Sequence, residues 1–121
     1  MSRIVIADDE AAVRRFLRLT LEGAGYEVLE AIDGMEAVRQ VRDGGVDLLL
    51  TDLVMPEQEG IETIRALRAS NSAIGIIAIS GAFDGQFLKT ARRLGADATL
   101  LKPVTAKQLL ASVAAVLQAR R

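Results

Sequence analysis

Five apolar, mostly β-branched or leucine-rich segments alternate with five helical patterns along the chain. This rhythm predicts an α/β protein, a doubly wound five-stranded parallel sheet with right-handed crossovers and helices on both faces. Two further observations agree. In the stretch Val46–Pro56, Leu48, Leu49 and Leu50 form a continuous apolar run resumed by Leu53 and Val54, as in a strand buried on both faces. Polar residues also stand at four strand ends (Asp8-Asp9, Asp52, Ser80 and Lys102), where an open parallel sheet binds its ligands.

The elements follow in order. Arg3 to Asp8 is the first strand, and Val13, Phe16, Leu17, Thr20 and Leu21 recur at three and four to set the first helix, which Gly23 or Gly25 can stop. Tyr26 to Ala31 is the second strand. Asp33 and Glu36 are spaced as a capping box for a helix with Met35, Ala37, Val38 and Val41 on its apolar stripe, closed by Gly44-Gly45. The third strand runs from about Asp47 to Asp52. Met55-Pro56 and Gly60 punctuate a loop, and the next helix carries Ile61, Ile64 and Leu67 on its stripe with Arg65 and Arg68 off it. Ala73 to Ser80 is the fourth strand. Asp84 can cap a short helix containing Phe87, Leu88, Ala91 and Leu94, which closes at Gly95. Asp97 to Leu101 is a short fifth strand, and Thr105 with Gln108 forms a capping box for a last helix presenting Leu109, Leu110, Val113, Val116 and Leu117.

Length and composition bound the function. A chain of 121 residues is one domain's worth, so a single domain over 1–121 is expected. Half the residues are hydrophobic and 3% aromatic, so the core is built from aliphatic side chains. Net charge is -1 with basic and acidic residues interspersed, which gives no electrostatic footprint for nucleic acid. Cysteine and histidine are both absent, which excludes disulfides, thiolate chemistry and His metal sites. No apolar run approaches the ~18 residues of a membrane span, and nothing resembles a signal peptide, so a cytoplasmic location without membrane contact is expected.

Asp8 and Asp9 could serve as helix N-caps, Asp52 as a turn acid, Ser80 as a strand-end hydroxyl and Lys102 as a surface cation. Their convergence favours chemistry. Three carboxylates within ~5 Å of one another repel by a few kcal/mol per pair at an effective dielectric of ~20, so a counter-charge is required. Mg2+ takes oxygen ligands and needs no His or Cys. A carboxylate beside such a metal can attack phosphorus and form an aspartyl-phosphate, with Lys102 supplying charge and Ser80 a hydroxyl donor to the phosphoryl oxygens.

Asp8-Asp9, Asp52 with Met55-Pro56 and Gly60, Ser80-Gly81-Ala82, Gly95-Ala96-Asp97 and Lys102-Pro103 together resemble the receiver domain of two-component response regulators over the whole chain. The resemblance implies a flavodoxin-like sheet of order 2-1-3-4-5. It makes Asp52 the phosphoacceptor, with Asp9, supported by Asp8, holding Mg2+ together with Asp52 and the Val54 backbone carbonyl. Ser80 turns toward the phosphoryl oxygen, Lys102 pairs with it, and the Lys102-Pro103 bond is cis. The implied partners are a sensor histidine kinase or histidine phosphotransfer protein as donor, and an output protein or a second copy on the face of the fourth helix, fifth strand and fifth helix. Arg14, Arg15 and Arg18, off the stripe of the first helix, form a rim suited to the donor.

Two positions depart from the family pattern. Thr99 stands where many receivers carry Tyr or Phe as a switch, and Val104 where phenylalanine is usual. With Thr99 too small to report by a rotamer change, the loop from Gly81 to Gly85 and the fourth helix are expected to carry the change. Three rival readings are weaker. A degenerate receiver serving as a constitutive binding module would lack an acid, the acceptor or the lysine, and all are present. An aspartyl-phosphate hydrolase would want a proton donor where Val54 stands. A dinucleotide-binding domain would need a glycine-rich loop where Asp8-Asp9-Glu10 lies.

Overall fold

The computed structural model describes residues 2–53, 59–70, 73–81 and 85–120. The strands are β1 (Arg3–Ala7), β2 (Glu27–Ala31), β3 (Leu48–Asp52), β4 (Gly75–Ser80) and β5 (Ala98–Leu101). They alternate with α1 (Ala11–Gly23), α2 (Gly34–Arg42), α3 (Glu59–Ala69), α4 (Gly85–Leu94) and α5 (Ala106–Ala119). All strands pair in parallel in the order β2-β1-β3-β4-β5, as expected.

Period-two alternation divides the core between the two sheet faces. Val5, Leu49, Ile76 and Ala78 point to one face, with Ile61, Ile64 and Leu67 of α3 and Ala91 of α4. Ile4, Ile6, Leu48, Leu50, Ile77 and Ile79 point to the other, with Leu17 and Leu21 of α1 and Leu109 and Val113 of α5. Every residue of β3 and β4 is buried, which explains their unbroken apolar runs. Each leucine of β3 withdrawn from water contributes about 2 kcal/mol, so this strand is a rigid mount for the acid that ends it.

Several local expectations are corrected. Phe16 is 43% and Met35 75% exposed, because the buried faces of α1 and α2 centre on Leu17/Leu21 and Ala37/Val41. The capping box of α2 forms only in half. Asp33 accepts from the Glu36 backbone N–H, but the Glu36 carboxylate accepts from Gln40 one turn on. The box of α5 is complete, with Thr105 and Gln108 bonding each other's backbone N–H. Arg68 is not a solvated residue; it donates to the Gly95 and Ile74 carbonyls and pairs with Asp97, which also accepts from Arg120 and the Ile76 N–H. Gly60 lies in α3, not in a loop. The proposed Asp84 cap and the Met55-Pro56 loop lie outside the described residues. Lys102-Pro103 is cis. Among the described residues, no helix is long and apolar enough to cross a membrane.

Candidate phosphoacceptor and metal site

The parallel arrangement puts the carboxyl ends of β1, β3, β4 and β5 along one edge of the sheet. Asp52 is the last residue of β3, and Asp8 follows the last residue of β1 on the neighbouring strand. Asp8 is 1% and Asp52 3% exposed, whereas Asp9 and Glu10 are open to solvent. One carboxylate oxygen from each of these four residues lies within 4.8 Å of the others. Glu10 joins a cluster in which the sequence assigned only Asp8, Asp9 and Asp52; its place directly after the two aspartates was the available signal.

The acids are not spent on the helix. Glu10 occupies the N-cap position of α1 without a side-chain cap bond, and Asp8 Oδ1 instead accepts from the Glu10 N–H at 2.8 Å. The other oxygen, Asp8 Oδ2, is buried and accepts no hydrogen bond. Burial pushes the Asp8 carboxyl up to about 6, and Asp52 and Asp9 add repulsion, against the opposing pull of the Glu10 N–H and Lys102. At an effective dielectric of ~20, two carboxylates at this spacing repel by about 3 kcal/mol.

Lys102 is the counter-charge. Its Nζ lies 2.9 Å from Asp52 Oδ2, 3.5 Å from Asp8 Oδ2 and 3.8 Å from Glu10 Oε1. Burial draws its ammonium down, but the hydrogen bond to Asp52 and the charges of Asp52, Asp8 and Glu10 outweigh it and leave it raised. One ammonium cannot neutralise four carboxylates. The cluster therefore retains negative charge, an all-oxygen donor set and an unsatisfied buried oxygen, which fit a hard divalent cation. The Val54 carbonyl, also expected to be a ligand, lies outside the described residues.

Ser80 ends β4, beside the Asp52 strand. Its Oγ is buried and has no hydrogen-bond partner. The Ser80 hydroxyl thus lies near the acceptor strand without bonding Asp52 or Lys102, while the Ser80 backbone oxygen accepts from the Lys102 N–H at 2.7 Å. Thr99, half-buried on β5, pairs in register with Ala78. Gly60 is a close-approach position that sequence reasoning missed. A Cβ there would meet the Asp52 carbonyl oxygen and, at 2.6 Å, Leu53 Cα, so only glycine lets α3 pack against the end of β3.

Arg14 and Arg18 do not stand free on a rim. Arg14 Nε and Arg18 Nη1 both pair with the Glu30 carboxylate of β2, at 3.0 and 2.7 Å, and Arg14 Nη1 donates to the Asp8 carbonyl at 2.6 Å. Arg15 remains exposed.

A doubly wound five-stranded sheet with an acidic cluster and a lysine at its carboxyl edge is the architecture of a receiver domain, and similarity to known proteins agrees. The profile of the response regulator receiver domain matches residues 4–114, and the chain belongs to this family. It is 34% identical over 116 residues to the DNA-binding response regulator MtrA of Mycolicibacterium paratuberculosis, covering 96% of this chain and 51% of that protein. It is 33% identical over 117 residues to the alkaline phosphatase synthesis transcriptional regulatory protein PhoP of Bacillus subtilis, covering 96% and 48%. The chain spans about half the length of these curated relatives. Among solved structures, a response regulator receiver domain protein from Clostridium thermocellum superposes with a TM-score of 0.93 at 27% identity, covering 99% and 97% of the two chains. A CheY-like receiver from Methanospirillum hungatei gives 0.91 at 28%, covering 99% and 96%.

Proposed function

We propose that this domain accepts a phosphoryl group on Asp52 from a sensor histidine kinase or histidine phosphotransfer protein in the cytoplasm, and that the modification changes what the domain binds. The observation that carries this is the pairing of a buried strand-end carboxylate with Lys102 inside an otherwise acidic cluster. An Asp52 carboxylate oxygen attacks phosphorus in line, the O–P bond forms as the P–N bond to the donor imidazole breaks, and the imidazole leaves with the bonding pair. Lys102, already within hydrogen-bond reach of Asp52, moves to a phosphoryl oxygen as charge develops there. The unpartnered Ser80 hydroxyl donates to another. Asp9, with Asp8, Asp52 and the Val54 carbonyl, would hold Mg2+, which would supply positive charge against the incoming phosphoryl oxygens; Glu10 lies within reach as a further oxygen donor. The domain assists its own modification and turns over no separate substrate.

The donor reaches the site over α1. An apolar groove lined by Val13, Phe16, Ile79, Pro103 and Val104 runs up to Lys102 and suits a helical partner. On the output side, α4, β5 and α5 form the responsive face. From Gly85 onward the chain carries Lys89, Arg92, Arg93 and Lys107 exposed, and its only acid is Asp97, already engaged by Arg68 and Arg120. The charges are therefore segregated, not interspersed. Two copies meeting through this face would oppose like charges, so an acidic partner protein is favoured over self-association.

Acetyl phosphate with Mg2+ should add one phosphoryl mass to the parent and none to Asp52→Asn, and chelation should abolish the reaction. An undiminished adduct on Asp52→Asn would refute the assignment.

A further inference from the structure

We infer that Arg14 is a positioning residue for the metal-binding turn, and that Glu30 aims it. This inference rests on the acidic cluster holding Mg2+, and it concerns how the chain keeps Asp8 and Asp9 in ligand geometry where they repel each other and two further acids, Glu10 and Asp52, repel them. Asp8 is tied at three points. Its N–H donates to the Ala31 carbonyl at 3.3 Å, its Oδ1 accepts from the Glu10 N–H at 2.8 Å, and its carbonyl accepts from Arg14 Nη1 at 2.6 Å. The last is the shortest, and its acceptor belongs to the peptide unit shared by Asp8 and Asp9. A planar peptide has no internal freedom, so fixing that carbonyl fixes the plane from which both carboxylates depart.

Arg14 is itself fixed. Its side chain is 15% exposed, its N–H joins the first turn of α1 through the Glu10 carbonyl, and its Nε bonds Glu30 Oε1 at 3.0 Å. Glu30 accepts from Arg18 as well, and its carboxyl is held below the usual range by the Arg18 hydrogen bond, against burial, with Arg14 adding to the effect. The guanidinium fork thus joins β2 to the β1–α1 turn, a geometry that a lysine ammonium, with its single point of charge, cannot reproduce in full.

Charge and positioning predict opposite signs here. Removing a cation from beside a cation site should by Coulomb's law tighten Mg2+ binding. Loss of an outer-shell contact that orients metal ligands weakens it, typically by about 10 to 100-fold. The test is a Mg2+ titration followed by amide NMR on the metal-free protein. Arg14→Ala should bind Mg2+ about tenfold more weakly, with shifts at Asp8, Asp9 and Glu10 before metal is added. Arg14→Lys should recover part of the loss, and Glu30→Gln should fall between. Arg3→Ala, which breaks the Arg3–Glu27 pair at the opposite end of the sheet, controls for lost stability and should bind like the parent.

Equal or tighter binding by Arg14→Ala, or equal weakening by Arg3→Ala, would overturn the inference. A parent that binds no Mg2+ would overturn the metal-site proposal and this inference with it. A parent that binds while Arg14→Ala binds equally well would overturn the inference alone.

Discussion

Lys102 Nζ sits 2.9 Å from Asp52 Oδ2, joining the residue after β5 to the last residue of β3 across the end of the intervening β4. Because the same ammonium also faces Asp8 and Glu10, it is at once the counter-charge of the resting site and a competitor of any metal that enters it. Lys102→Ala should therefore lower metal-free stability by about 1 to 3 kcal/mol, because it withdraws a charge-assisted hydrogen bond and the counter-charge from buried carboxylates. It should tighten Mg2+ binding while slowing phosphorylation by acetyl phosphate. Denaturant melts with and without Mg2+ check this, the stability gap to the parent narrowing when metal is present. Weaker metal binding by the variant would contradict the competition.

Asp8 gives a pH signature. Its carboxyl is raised to about 6 by burial first, so the folded state holds its proton more tightly than the unfolded chain, whose value is 3.8. The stability this group contributes is fully present below 3.8 and is lost as pH rises through about 6. Its ionisation thus costs the metal-free folded state about 3 kcal/mol at neutral pH. Asp8→Asn should raise the metal-free Tm at neutral pH by roughly 5 °C or more, flatten the pH dependence between 4 and 6 and remove much of the stabilisation by Mg2+. A variant less stable than the parent at pH 7.5 without metal would contradict it.

Gly60→Ala is expected to cost about 1 to 3 kcal/mol, because the added methyl meets backbone atoms that cannot swing aside. Since those atoms belong to Asp52 and Leu53, phosphorylation should fall more than stability alone explains. Thermal melts and acetyl phosphate rates on the same preparation separate the two effects. Unchanged values for both would mean that α3 does not press on the acceptor strand.

Activation should spread without an aromatic switch. Beryllofluoride with Mg2+ should shift amides from Gly81 through α4 in the parent, and Ser80→Ala should confine the shifts to the neighbourhood of Asp52. The movement should be between pre-existing states, with Ser80 Oγ gaining the partner it lacks at rest. A response of α4 only after Thr99→Tyr would sink this account. The activated domain should also stay monomeric by sedimentation, given the like charges on α4 and α5; a dimer would show that the basic face does not prevent self-association.

Much of this was legible in the sequence because it depends on local period. Buried parallel strands such as Leu48–Asp52 announce themselves as apolar runs, Thr105 and Gln108 needed only a spacing of three, and Asp8, Asp9, Asp52, Ser80 and Lys102 converge once strand ends are counted. What stayed hidden depends on distance in three dimensions. Nothing in the periodicity of α1 says that Arg14 turns back six residues to the Asp8 carbonyl, or that Arg68 reaches Gly95, twenty-seven residues on. The exposure of Met35 and the close approach of Gly60 to Asp52 are likewise set by where α2 and α3 rest on the sheet. The segregation of basic residues after Gly85 was countable and became meaningful only when α4, β5 and α5 were seen together at the sheet edge.

The central claim is that Asp52 alone receives the phosphoryl group. It is tested most directly by treating the parent with acetyl phosphate and Mg2+, reducing the acyl phosphate with borohydride, and mapping the product by peptide mass spectrometry. The predicted result is homoserine at position 52 and nowhere else. Reduction at Asp8 or Asp9, or an unmodified Asp52 in protein that binds Mg2+, would contradict it.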